Sequence, residues 1–230
     1  MESRAEFSAE ERRAFLGLPF TPVQVRPNHD FVRLGERVSH STFVMDGVVG
    51  AFEQDRDGNR QITSIFIEAD MVDLHTVVLP EAISALQALV PTTILQVPHS
   101  ALRQIARGHP RIIEAFWREC SLHTSIALEW VVNVGRRDAR TRMAHFYCEL
   151  ACRSSRGKPH DGMLIPYTIT QFQLSDILGL TPVHVNRTLQ SLRKSGLVES
   201  VEKSLHRVRD WRGLCEAGDF DPTYLRNGAL

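Results

Sequence analysis

Two capped helix starts separated by a single glycine turn constrain this chain more than any other feature. In residues 168 to 200, TITQFQLSDILGLTPVHVNRTLQSLRKSGLVES, Thr170 stands where an N-cap belongs and Gln173 follows three residues later. At that spacing a hydroxyl and an amide side chain can satisfy each other's orphan backbone N–H groups. Leu174, Ile177 and Leu178 give the helix an apolar stripe, Gly179 supplies the turn, and Thr181-Pro182 opens a second helix with proline in its first position. At about 100° per residue, Val185, Leu189 and Leu192 gather on one face of that second helix. Val183, Asn186, Arg187, Gln190 and Lys194 gather on the other, which is polar and cationic. Two caps, a short turn and a basic second helix together fit a helix-turn-helix that lies against DNA better than a solvated helical hairpin. Beyond Gly196, residues 197 to 201 alternate toward a strand and Leu205 to Val208 can return antiparallel, which predicts a wing.

Charge follows the same division. The 230-residue chain has no net charge, 43% hydrophobic residues and 23% charged ones, ordinary for a water-soluble protein. Residues 136 to 212 nevertheless carry 14 Lys and Arg against 7 Asp and Glu, a net of +7, whereas residues 1 to 135 carry 12 against 17, a net of −5. Cations concentrate around the paired helices, as phosphate neutralisation requires. Cys120, Cys148, Cys152 and Cys215 form no close CxxC pair. Cys148 and Cys152, one helical turn apart, read as two small buried hydrophobes rather than a metal or redox pair. With neither an apolar leader nor a run of about 18 apolar residues, the chain is expected to be cytoplasmic and to make no membrane contact.

The first hundred residues predict an α+β protein with a β-rich start. Apolar or alternating runs at 43–45, 48–52, 62–67, 71–74 and 94–97 are punctuated by Gly35, Asp46-Gly47 and Asp57-Gly58-Asn59, which suggests hairpins closing into a roll. From Pro110 a helix of about 25 residues is expected. Ile113, Phe116, Cys120, His123, Ala127, Trp130 and Val134 recur at alternating steps of three and four, the spacing of a coiled-coil seam. Trp117, Leu128 and Val131 lie off that seam, so one face is expected to meet a second copy and the other the chain's own roll. Burial of the seam within one copy is the alternative. Asp138 can cap a new helix from Ala139, making a hinge, and Ser154 to Gly162 read as an exposed loop.

Taken in order, a glycine-punctuated roll, a long helix, an Asp-capped hinge and a winged helix-turn-helix resemble the Crp/Fnr family of bacterial transcription regulators over nearly the whole length. The resemblance is most specific in LSDILGLTPVHVNRTLQSLRKSGL, residues 174 to 197, and extends to Gly35, Gly47, Asp57-Gly58 and Asp70. It implies a cyclic-nucleotide-binding-like jelly roll at 1–109, a dimerisation helix and hinge at 110–137, and a DNA-binding domain with a C-terminal tail at 138–230. It also implies a homodimer on a pseudo-palindromic operator, with Arg187 matching the arginine that reaches a guanine edge. Asn186 and Gln190 then read adenine or bridge to phosphate, while Thr170, Gln171, Thr181, His184 and Lys194 contact the DNA backbone. Val183 departs from the family's frequent glutamate and can meet only a thymine methyl. RNA polymerase is the further partner implied for the 154–162 loop.

The sensor half departs further. The family's proline-glycine-aspartate step is kept only in part, as Glu68-Ala69-Asp70, and no Lys or Arg occurs between Arg60 and Arg103. A buried cyclic phosphate without a cation is costly, so no cyclic nucleotide and no other cofactor is expected. The cluster ligands of the oxygen-sensing relatives are also missing, since the first cysteine is Cys120. His75, Val77, Leu79, Leu86 and Leu89 are the candidate lining of an apolar effector pocket, with filled core as the alternative. A haem-, metal- or redox-sensing regulator of the same fold is a further reading, as are a cupin-like enzyme and a module docking on an acidic partner. His29, His40, His75 and His99 are too dispersed for cupin ligands, so no catalytic residue is expected.

Overall fold

The computed structural model describes residues 7–202 and 204–225. They form two compact units, one of residues up to Glu53 with Ser64–Thr124, the other of Gln54–Thr63 with Ser125–Leu225.

Helix α1 (Ala9–Leu16) precedes an antiparallel roll of two sheets, which belongs to the first unit apart from residues 54–63. One sheet is ordered β1 (Thr21–Val25), β7 (Thr92–Pro98), β3 (His40–Asp46); the other β2 (His29–Val32), β6 (Ala85–Ala88), β4 (Val49–Gln54), β5 (Arg60–Phe66). Apolar positions of both, among them Val25, Val32, Val44, Val49, Phe66, Leu86 and Ile94, close over one core. Both glycine turns are present. Gly47 has φ +97° and backs onto Thr92, where a Cβ would meet the Pro91 carbonyl at 2.6 Å, so only glycine fits. Asp55 ties the Asp57-Gly58 turn by accepting from the Asp57 and Asn59 amides at 2.9 and 2.8 Å.

The run 71–74 is not a strand. Met71 forms an isolated bridge to Phe43 and the chain passes into a 3-10 turn at Leu74–Val77, because Asp73 turns inward and accepts from the Thr42 amide at 2.6 Å. Strands β1, β2 and β6 and helices α1 and α2 (His99–Gly108) lie outside the runs read from sequence. The apolar lining expected of an effector pocket does not gather. Leu86 is in the roll core, Leu89 packs over Gly50, Val77 packs against a cluster that includes Leu102 and Ile112, and Leu79 is exposed. His75 in the 3-10 turn is held below its ordinary pKa by desolvation, and its Nε2 has no hydrogen-bond partner.

Helix α3 spans Pro110–Arg136 and runs through Gly135. In the second unit, Asp138 caps α4 (Ala139–Ser154) by accepting from the Arg140 and Thr141 amides, both at 2.9 Å. Then follow α5 (Gln171–Leu178), α6 (Pro182–Lys194) and a sheet ordered β8 (Leu164–Ile165), β10 (Leu205–Val208), β9 (Val198–Glu202). The C-terminal tail contains helix α7 (Trp211–Ala217) and a 3-10 turn at Pro222–Leu225; residues 226–230 lie outside the described part. It is held to α4 by the buried Glu149, which accepts from Trp130 Nε1 at 2.8 Å, Tyr224 Oη at 3.0 Å and Arg153 at 2.9 Å. All four cysteines are free; the Cys148 thiol, pushed up by burial, faces Cys215 Sγ at 3.9 Å.

Candidate nucleic-acid interface

Both expected caps form. The Thr170 hydroxyl accepts from the Gln173 amide at 3.2 Å and Gln173 Oε1 accepts from the Thr170 amide at 2.8 Å, closing a capping box at the start of α5. Gly179 ends α5 in the left-handed region at φ +60°, which glycine adopts without strain. Thr181 then caps α6 by accepting from the His184 amide at 3.3 Å, with Pro182 first in the helix. Val185, Thr188, Leu189 and Leu192 are buried, which turns the rest of α6 outward.

On that outer surface Val183, His184, Arg187, Gln190 and Lys194 are exposed and Asn186 is half-buried. A polar relay runs across the two helices: Gln190 Nε2 donates to Asn186 Oδ1 at 2.9 Å, and Asn186 Nδ2 to Gln171 Oε1 at 3.4 Å. The relay limits the rotamers of three side chains while leaving their outer edges open. Arg187 forms no ion pair among the described residues, so its five donors are available. Thr170 and Thr181 are also exposed, at the amino ends of the two helices, where N–H groups and helix dipoles favour anions.

One residue that sequence reasoning misses holds this unit together. The Arg142 guanidinium donates to the carbonyls of Leu178 at 2.6 Å, Val134 at 2.7 Å and Arg137 at 3.1 Å, bridging the carboxyl ends of α5 and α3. A cation there suits both helix dipoles. Asp176, partnered by Arg60 at 3.7 Å, and Phe172, exposed on α5, are further surface features the sequence did not single out.

The expected dimer seam is corrected. Phe116 and Trp130, 8% and 6% exposed, are buried within their own chain; Trp130 lies edge-on to Phe146 besides bonding Glu149. His123 is half-buried against Phe66 and Glu119. Ala127 and Val134 are intermediate, and only Ile113 and Cys120 of the seam are exposed. The off-seam residues Trp117, Leu128 and Val131, 74%, 64% and 69% exposed, form the outer apolar stripe instead. Trp117, Leu128 and Val131 are eleven and three residues apart, which also keeps them near one face of a helix, so periodicity alone does not say which stripe the chain covers.

Two helices joined by a tight turn, a second helix with an uncovered cationic face and a three-stranded wing define a winged helix-turn-helix, a DNA-binding unit. Residues 141–217 match the family described as the Crp-like helix-turn-helix domain. The chain is 24% identical over 194 residues to the anaerobic regulatory protein of Haemophilus influenzae, covering 84% of this chain and 74% of that one. It is equally 24% identical over 184 residues to the transcriptional activator protein FnrA of Stutzerimonas stutzeri, covering 80% and 74%. Its fold is similar to that of FixK2 from Bradyrhizobium japonicum, with a TM-score of 0.78 at 22% identity over 87% of this chain and 98% of that one. CooA from Carboxydothermus hydrogenoformans is similar at a TM-score of 0.67 and 18% identity, over 94% and 92%. The chain carries a Crp-like helix-turn-helix domain and is a DNA-binding transcription regulator similar to those of the Crp/Fnr type. Among the described residues no helix is long and apolar enough to cross a membrane.

Proposed function

We propose that the chain acts in the cytoplasm as a homodimer on a pseudo-palindromic operator, one α6 in each of two major grooves about one turn of DNA apart. The observation that carries this reading is the uncovered face of α6, where Arg187 stands unpaired beside the Gln171–Asn186–Gln190 relay. Arg187 reads guanine, for which a planar fork of donors is the geometric match, and Asn186 and Gln190 read a neighbouring base or bridge to phosphate. Thr170, Gln171, Thr181, His184 and Lys194 contact the backbone and fix the register. Val183 rests against a thymine methyl. The outer stripe of α3 supports the dimer, since burying three large apolar side chains per copy contributes about 1.5 to 3 kcal/mol for each.

No cyclic nucleotide is used in this reading, because no cation between Arg60 and Arg103 is present to pair with its phosphate. The exposed Arg156, Lys158 and His160 of the 154–162 loop fit a contact with RNA polymerase, and a relative named as a transcriptional activator agrees with activation. Selection from a random duplex library tests the proposal: two inverted half-sites with centres about 10 base pairs apart support it, and an unenriched pool contradicts it.

A further inference from the structure

We propose that Asp70, Glu119 and His123 form a binding site for one divalent transition-metal cation of the manganese, iron or zinc class. Each presents one ligand atom, and the three atoms lie within 4.8 Å of one another. The site belongs wholly to the first unit, on the face of α3 opposite its exposed apolar stripe.

Three elements of local structure aim these donors at one point. Glu119 and His123 are one helical turn apart on α3, so they share a face. Asp70 comes from the turn after β5, where Ala69 adopts a left-handed φ of +74° and donates its amide to the Val44 carbonyl at 3.0 Å. Asp70 Oδ2 accepts from the Ile67 amide at 2.8 Å, which fixes the carboxylate plane. The His123 ring packs on Phe66 with centroids 4.7 Å apart, and its Nε2 faces Glu119 Oε1 at 3.3 Å. Glu119 Oε1 also accepts from the Met71 amide, at 3.4 Å. These two contacts to Glu119 are near the long limit of a hydrogen bond.

Electrostatics favour the same occupant. Asp70 and Glu119 are fully buried, and two carboxylates placed side by side away from water oppose each other's ionisation. A divalent cation stabilises both at once and takes a neutral imidazole as its third ligand. Two oxygens and one imidazole nitrogen, with no thiolate, select Mn2+, Fe2+ or Zn2+ over a soft ion such as Cu+. Three protein donors leave positions open for water or a small anion, as in sites that bind a further ligand. A Glu119–His123 hydrogen bond without an ion is the competing account, and it takes up no metal.

The test uses the full chain, stripped with EDTA, dialysed, and titrated calorimetrically with MnCl2 and separately with ZnCl2. One ion per chain is expected with at least one of the two salts. Glu119→Gln and His123→Gln should each weaken binding at least about tenfold, whereas His29→Gln, exposed on β2, leaves it unchanged. Thermal melts report folding of the variants, and the bound ion should raise the melting temperature of the unaltered chain but not of either variant. Should Glu119→Gln fail to fold, His123→Gln decides, His123 being the least buried of the three. Absence of binding of both ions below about 1 mM, or equal binding by the variants, overturns the proposal.

Discussion

The guanidinium of Arg142 reaches the Leu178 carbonyl at 2.6 Å while its second terminal nitrogen reaches the Val134 carbonyl at 2.7 Å, so one side chain closes the carboxyl ends of two helices. Charge-assisted bonds of this kind contribute about 1.5 to 3 kcal/mol and leave stranded carbonyls when removed. Arg142→Ala should therefore lower the stability of the second unit by about 2 to 3 kcal/mol in urea unfolding. Arg142→Lys should recover only part, since a single ammonium cannot span carbonyls on both helices. An unaltered midpoint in Arg142→Ala would contradict this role.

On α3, Leu128 and Trp130 are expected to respond differently to the same substitution. Charge placed on the outer stripe, as in Leu128→Glu, should yield folded monomers, because each copy would bury that carboxylate against its twin. Trp130→Glu should instead unfold the second unit, because Trp130 is buried in its own chain and its indole N–H serves Glu149. Light scattering with circular dichroism distinguishes them; dimers retained by Leu128→Glu reject the outer stripe as the interface.

Local signals are legible in the sequence where they are self-contained. Thr170, Gln173, Gly179, Thr181 and Asp138 act within three or four residues of themselves, and each cap forms as its residue type requires. The two glycine turns obey the same rule. What depends on distant packing is not legible: the 3-10 turn after Asp73 needs the Thr42 amide from another strand, and the orientation of α3 depends on which of its apolar stripes is covered. Arg142 was one arginine among many, because its three carbonyl partners come from helix ends that only the fold brings together. The nearness of His123 to Asp70 was hidden for the same reason, the two being far apart in sequence.

At Ala69 a side chain occupies a backbone conformation that favours glycine, with φ +74°, where the family resemblance also expects glycine. The left-handed conformation costs about 1 to 2 kcal/mol for a residue with a Cβ, and the greater entropy of glycine in the unfolded chain offsets part of that. Ala69→Gly should raise stability by about 0.5 to 1 kcal/mol. A lower denaturation midpoint for Ala69→Gly would show that the turn is not strained.

Acid should weaken the second unit through His206. Burial holds this imidazole at a pKa of about 4, below the usual 6.5, with the Arg193 charge as a lesser cause. The unfolded chain takes up a proton near 6.5 and the folded one only near 4, so this contribution to stability is complete above pH 6.5 and is lost as pH falls toward 4. The loss is on the order of 3 kcal/mol. His206→Leu should flatten the fall in unfolding free energy over that interval, measured against the unaltered chain. A parallel fall in both would assign the acid sensitivity elsewhere.

The central claim is that the outer face of α6 reads base edges in duplex DNA, and fluorescence anisotropy on a selected operator and a random duplex tests it most directly. Arg187→Ala should lose about 1 to 3 kcal/mol on the operator and little on random DNA. Lys194→Ala should weaken both duplexes alike and reduce the salt dependence by about one counterion. Equal losses on the two duplexes for Arg187→Ala, or no preference by the unaltered chain for the selected sequence, would contradict the account.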